Sequence, residues 1–195
     1  MPPPEAPHGN AATAWFGDRF ADLHPLLQAL HRDGGVLRGD VDIATGAGIA
    51  GVVGRRLARR LGIPVDRARR GFEVRIVHDA DAMRWIRRFD DGSVLASTFR
   101  PHGRYPDGFW TERSGALRLR LGVDLDGGGW RWRLLGLRAF GLPLPRALLR
   151  VDAFKRIEHA RYRFGVRFAL PLLGDVLRYE GLLQAVPGTD AAPDR

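Results

Sequence analysis

From Arg70 to nearly the end of the chain, apolar residues recur at every second position, and this rhythm most limits what the chain can become. A period of two sends neighbouring side chains to opposite faces of a strand, so this stretch is built to form sheet with one buried and one wet face. Residues 115–125 carry the pattern most clearly: Leu117, Leu119, Leu121, Val123 and Leu125 alternate with Arg118, Arg120, Gly122 and Asp124. Residues 126–129 supply a hairpin turn, after which Trp130, Trp132 and Leu134 continue the apolar face against Arg131 and Arg133. Upstream, Phe72, Val74 and Ile76 alternate with Glu73 and Arg75; Met83, Trp85, Arg87 and Phe89 share one side of a second strand; residues 94–99 form a third. Residues 151–159, 161–170 and 175–186 complete the set, with Tyr162, Phe164, Val166 and Phe168 on one side of the middle segment and Leu177, Tyr179 and Leu183 on one side of the last. Residues 101–108 read as an irregular loop, and Tyr105, Phe109 and Trp110 as an exposed aromatic lip beside it.

The N-terminal part has a different rhythm. Leu23, Leu26, Leu27 and Leu30 mark a short amphipathic helix that starts near Pro25 and stops at Gly34. Residues 35–44 read as a strand with a bend or bulge near Gly39. Ile49, Val52, Val53, Leu57 and Leu61 give a second helix, whose opposite face carries Arg55, Arg56, Arg59 and Arg60 and which Gly62 and Pro64 end. The expected fold class is therefore α+β: N-terminal helices packed on a large, strongly curved antiparallel meander of about eight strands, closed as a half-barrel or barrel because wide sheets twist and exposed edges are costly. One domain over residues 15–186 is expected, between Pro-, Ala- and Gly-rich tails at 1–14 and 187–195.

Composition excludes several chemistries. The 195 residues contain no cysteine, which removes disulfides, thiolate metal sites and cysteine nucleophiles and fits a reducing cytoplasm. The formal charge is +9, yet Lys155 is the only lysine, and the arginines read as dispersed over polar faces without an aromatic-plus-basic recognition motif, so no specific nucleic acid is expected. No apolar run reaches the roughly 20 residues of a transmembrane helix. The glycines of residues 46–51, Gly46, Gly48 and Gly51, match a dinucleotide fingerprint, but the segment after the arginine helix is too polar to be a second parallel strand, so the motif reads as a turn that opens a helix. His24 and His31 stand two helical turns apart, too far to share an ion, and His31 in the last turn suits the helix dipole in its charged form. His78, Asp79 and Asp81 form a compact group in a predicted turn, where aspartates serve local backbone bonding; no metal and no cofactor are expected.

Parity singles out Arg87, which shares the inward face with Trp85 and Phe89. A buried guanidinium needs a carboxylate or an anion, and Glu112, Glu158 and Glu180 are its candidate partners, with a ligand carboxylate as the alternative. Trp85, Phe99, Trp130, Trp132, Phe164, Phe168 and Tyr179 fill the same face, either as core or as the lining of a cavity.

The segments at residues 23–31, 37–48, 85–89 (WIRRF), 141–145 (GLPLP) and 178–183 (RYEGLL) together resemble a bacterial domain-of-unknown-function family, number 4166, found alone or joined to saccharopine-dehydrogenase-like or short-chain reductase domains. The resemblance implies no reaction. The expected function is a non-enzymatic binding domain that holds an apolar or amphipathic anionic small molecule between the aromatic face and Arg87, with Trp85, Phe99, Glu112, Trp130, Trp132, Phe164, Phe168 and Tyr179 around it. Two alternatives stand beside it: an accessory module docking on a reductase-like protein through the arginine helix or the Trp110 lip, and an enzyme using Glu112 or Glu180 as acid or base beside Arg87.

Overall fold

The computed structural model describes residues 9–79, 81–115, 117–139 and 141–188. Ten antiparallel strands form a closed barrel: β1 (Gly35–Thr45), β2 (Arg69–His78), β3 (Met83–Phe89), β4 (Val94–His102), β5 (Phe109–Ser114), β6 (Leu117–Asp126), β7 (Gly129–Ala139), β9 (Arg150–Glu158), β10 (Arg161–Leu170) and β11 (Gly174–Pro187). The short β8 (Leu142–Leu144) adds to the edge of β7 beyond the ring. Each strand pairs with its neighbours in the chain, β7 passes to β9, and the ring closes where β1 pairs with β11, from Gly35 opposite Pro187 to Thr45 opposite Leu177. Closure removes the sheet edges that an open meander of this width would expose.

Three helices close the barrel's surroundings. The helix α1 (Ala11–Phe16) and the helix α2 (Pro25–Asp33) are joined by a 3-10 segment, Gly17–Asp22. Asn10 ties them together: its side-chain oxygen accepts from the backbone of Ala12 and Thr13 at 2.9 and 3.1 Å, while its amide donates to the carbonyls of His31 and Arg32 at 2.9 and 2.7 Å. His24 caps α2, accepting from the Leu26 amide through Nδ1 at 3.1 Å. The composition-based N-terminal tail thus overlaps α1 over residues 11–14, where Ala11 and Ala12 are buried; residues 1–8 and 189–195 lie outside the described residues.

The helix α3 (Gly48–Leu61) links β1 to β2 and packs on β11 and β1. Its approach depends on glycine: a Cβ on Gly54 would lie 1.8 Å from the carbonyl oxygen of Val176. Gly62 then stops the helix with φ +75°, and its amide bonds back to the carbonyls of Ala58 and Arg59. Gly46 serves the same contact, since a Cβ there would meet the Asp175 carbonyl at 2.3 Å, and a Cβ on Gly51 would meet the Gly46 carbonyl at 2.4 Å. Both neighbours of β1 are antiparallel, so the segment has no dinucleotide-binding context.

Parity survives into three dimensions. Trp85, Phe99, Leu121, Trp132, Phe164 and Leu183 point into one continuous core, and Arg118, Arg120, Arg131 and Arg133 stay outside. One expectation is corrected and another narrowed. The segment expected as a lip is strand β5, in which Trp110 is 1% exposed and packs edge-on against Trp15 of α1 and Trp132. Tyr105 is half-buried in the same cluster, because Trp15 donates to the His102 carbonyl at 3.3 Å and holds the preceding loop against α1. Near Gly39 the strand β1 carries no inserted residue, since the offset from Arg38 opposite Gln184 to Val41 opposite Gly181 is unchanged, which excludes the bulge but not the bend, because Gly39 and Asp40 have no register partner on β11.

Candidate functional site

The barrel interior holds a cavity of about 80 Å³ whose lining is aromatic and aliphatic but includes Arg87, Lys155, Glu112 and Ser114. Of the residues expected around a ligand, Trp85, Arg87, Phe99, Glu112, Trp132, Phe164, Phe168 and Tyr179 line it. Trp130 does not. It sits one layer away, between the cavity wall and the helices, with its ring 5.3 Å from Phe16 and 4.6 Å from His31.

Arg87 is 6% exposed and, among the described residues, meets no carboxylate directly. Its Nη1 donates to Ser97 Oγ at 2.9 Å; Ser97 and Ser114 share a hydrogen bond of 2.6 Å; Ser114 Oγ donates to Glu112 Oε1 at 3.0 Å. The chain therefore connects cation to carboxylate through two buried hydroxyls. Such a relay is possible because Ser97 and Ser114 occupy inward positions on the neighbouring strands β4 and β5, and small side chains there leave room for the guanidinium. Glu180 and Glu158 are elsewhere: Glu180 pairs with Arg163 at 2.8 Å, and Glu158 is bound by Arg156 on the barrel's outer surface. Of the three candidate carboxylates, Glu112 is the one linked to Arg87, through Ser97 and Ser114, and Glu180 is engaged by Arg163.

Lys155 was visible in the sequence only as an isolated lysine, yet it is the second cation of the interior, 3% exposed. It stands opposite Trp130 on β7 and Phe164 on β10, and its Nζ lies over the rings of Trp85 and Trp130 at 3.8 and 4.0 Å from their centroids. Among the described residues its ammonium has no hydrogen bond or ion pair. Ring faces stabilise a desolvated ammonium by about 2 kcal/mol or more, less than water would provide. Burial, and next the Arg87 charge, accordingly hold the Lys155 amine well below its ordinary range, with Glu112 acting in the opposite sense. The signal was its parity: Val151, Ala153, Lys155 and Ile157 share one face of a strand.

The layer behind the cavity is equally unusual. His31 is fully buried, stacked 6.0 Å from Trp85, and neither ring nitrogen has a hydrogen-bond partner among the described residues. Burial foremost, then the charge of Lys155, keeps it neutral well below its ordinary range, which corrects the expectation of a charged histidine serving the helix dipole. Trp85 Nε1 and Tyr162 Oη, both on cavity-lining residues, are also buried without a partner among the described residues. Burial pushes the Tyr162 and Tyr179 hydroxyls up, so both remain donors at any physiological pH. Among the described residues the interior thus offers many donors and one carboxylate, and that carboxylate already accepts from Ser114.

His78, Asp79 and Asp81 do not converge: Asp79 accepts from Arg84 at 2.8 Å, Asp81 from Arg100, and His78 Nε2 faces the Leu30 carbonyl at 3.4 Å. Among the described residues no helix is long and apolar enough to cross a membrane.

In comparisons with known proteins, the family model described as Domain of unknown function (DUF4166) matches residues 23–183, which takes in α2, α3 and the barrel as far as Leu183 of β11. No curated protein matches the chain.

Proposed function

The chain belongs to the DUF4166 family, and from that premise we propose that its barrel is a binding chamber for one small amphipathic anion, a carboxylate with a short apolar body. The observation that carries the reading is the imbalance of the interior: Arg87, Lys155, Trp85 Nε1 and Tyr162 Oη offer donors around one cavity, while its single carboxylate is engaged. Buried donors left unpaired cost about 1–3 kcal/mol each, and a ligand that supplies acceptor oxygens relieves that cost. The cavity of about 80 Å³ sets the size. Pockets for drug-sized molecules run to several hundred cubic ångströms, so this one takes a ligand of a handful of heavy atoms. The rings of Phe99, Trp132 and Phe164 provide the apolar side of the recognition.

Calorimetric titration with acetate, propionate, butyrate and octanoate tests the reading. Saturable one-to-one binding is expected for propionate or butyrate, weaker for octanoate, and at least about tenfold weaker in Arg87→Met. Absence of saturable binding across the series, or equal affinity in the variant, would overturn it.

A second reading, docking on a protein partner such as the reductase-like class implied by the family resemblance, draws on a different surface. Ile49 and Val52 of α3 are 70% and 49% exposed, beside Arg55, Arg56 and Arg59. Charge reversal at Arg55 and Arg59 would abolish such docking and leave the melting temperature nearly unchanged.

A further inference from the structure

Most arginines on the outer face of the barrel are neutralised by an acidic residue on their own or a neighbouring strand: Arg38 by Glu73, Arg69 by Asp40, Arg131 by Asp152, Arg133 by Asp124, Arg163 by Glu180 and Arg167 by Asp175. Others, Arg88, Arg150 and Arg161 among them, have no ion pair among the described residues, and one patch sets three such arginines side by side. Arg113 of β5 stands directly opposite Arg118 of β6, and Arg118 directly opposite Arg138 of β7. All three are exposed, and none has an ion pair, hydrogen bond or ring contact among the described residues. Like charges placed opposite one another across a sheet repel, so this three-rung ladder weakens the strands that carry it.

The ladder lies in a surface groove of about 740 Å³. Arg100 and Arg120 flank it; Arg100 is paired with Asp81, and the Arg120 guanidinium is stacked 3.8 Å from the Phe109 ring centroid. The carboxylate on the groove lining, Glu112, accepts from Ser114 and belongs to the interior relay. Gly136, opposite Arg120 beside a register shift in the β6–β7 pairing, contributes no side chain to the floor. Pro143 and Leu144 of β8 form an apolar end.

We infer that this groove is a binding site for a small molecule bearing two or three linked phosphates and an apolar or aromatic body, with Arg113, Arg118 and Arg138 on the phosphates and Pro143 and Leu144 against the body. Neighbouring strands are about 4.8 Å apart, so three rungs span about 10 Å. That span matches a chain of linked phosphates better than a single one. Guanidinium groups present paired donors to phosphate oxygens, and an anion between the rungs turns mutual repulsion into shared attraction. The groove has the volume of sites for nucleotide-sized ligands. The ladder's arginines lie on the outer face of these strands, while Glu112 and Leu119 border both the groove and the interior cavity.

Titration calorimetry at physiological salt with orthophosphate, tripolyphosphate and adenosine triphosphate tests the inference. The wild-type chain is expected to bind one tripolyphosphate, about tenfold or more tighter than orthophosphate, and Arg118→Gln to lose about tenfold. Arg84→Gln, which removes the same charge from a paired surface arginine, should bind as wild type does. Gly136→Leu, which fills the floor and removes no charge, should weaken adenosine triphosphate. Equal losses in Arg118→Gln and Arg84→Gln would reduce the effect to net charge and overturn the site. So would binding of an oligothymidylate strand or of phosphatidylglycerol vesicles that depends on Arg118 while tripolyphosphate fails to bind.

Discussion

Lys155 and His31 both pack against Trp85 and Trp130 and share a predicament: each is a base in surroundings that oppose its charged form. The sign of the resulting pH dependence follows directly. Unfolded, a histidine takes up its proton below about 6.5, whereas folded His31 stays neutral; the unfolded state then binds more protons, and stability falls as pH drops below about 6.5. His31→Phe, which keeps the stacking and forms no charge, is expected to flatten that acid limb in urea titrations at successive pH values while matching wild type near pH 7.5. The same logic at Lys155 operates in a higher window. Its lowered value makes stability rise with pH from the folded value up to about 10.4, the range where only the unfolded amine is protonated. Lys155→Met should remove that slope and leave the protein as stable or more stable at pH 7, since replacing a buried charge by an apolar chain of similar length is often neutral or better. A wild-type slope retained in Lys155→Met would mean that the ammonium is not the group being desolvated.

At the scale of elements, α3 is the part whose seating is least forgiving. Gly54→Ala adds helix propensity, yet its Cβ would enter the van der Waals space of the Val176 carbonyl, and the helix must lift from β11. A net loss of about 2 kcal/mol is expected, read as a drop of several degrees in melting temperature. A melting temperature at or above wild type would show that α3 has slack. The same elements show what a sequence does and does not disclose. Helices α2 and α3 and the long strands were legible because each commits its apolar residues to one period over many positions. Strand β5 was not: in six residues it presents Thr111, Glu112 and Arg113 between Trp110 and Ser114, and a polar residue on the inward side hides the alternation. Its inward glutamate and serine are the residues that serve the Arg87 relay, so the pattern fails where the interior becomes polar. The three residues of β8 are too few to carry a period at all.

The whole molecule is a ring whose first and last strands zip together, and that closure was foreseeable as a tendency of a wide meander, though not the pairing that achieves it. Trp85, Arg87, Phe99, Trp132, Phe164, Phe168 and Tyr179, which inward parity groups together, line one space, and Glu112, which parity did not reach, joins them there. Sequence could not give the size of that space, because it depends on how rings interdigitate, nor the arginine ladder, because cross-strand register decides which arginines face one another. Native mass spectrometry of the purified protein, wild type beside Arg87→Met, tests the central claim that the interior is a chamber for a small anion. The account predicts one anionic small molecule per wild-type chain, either carried through purification or taken up from added butyrate and released on denaturation, with none on a folded Arg87→Met. A wild-type chain that stays at its bare mass after incubation with butyrate, or an adduct that Arg87→Met keeps, would contradict it.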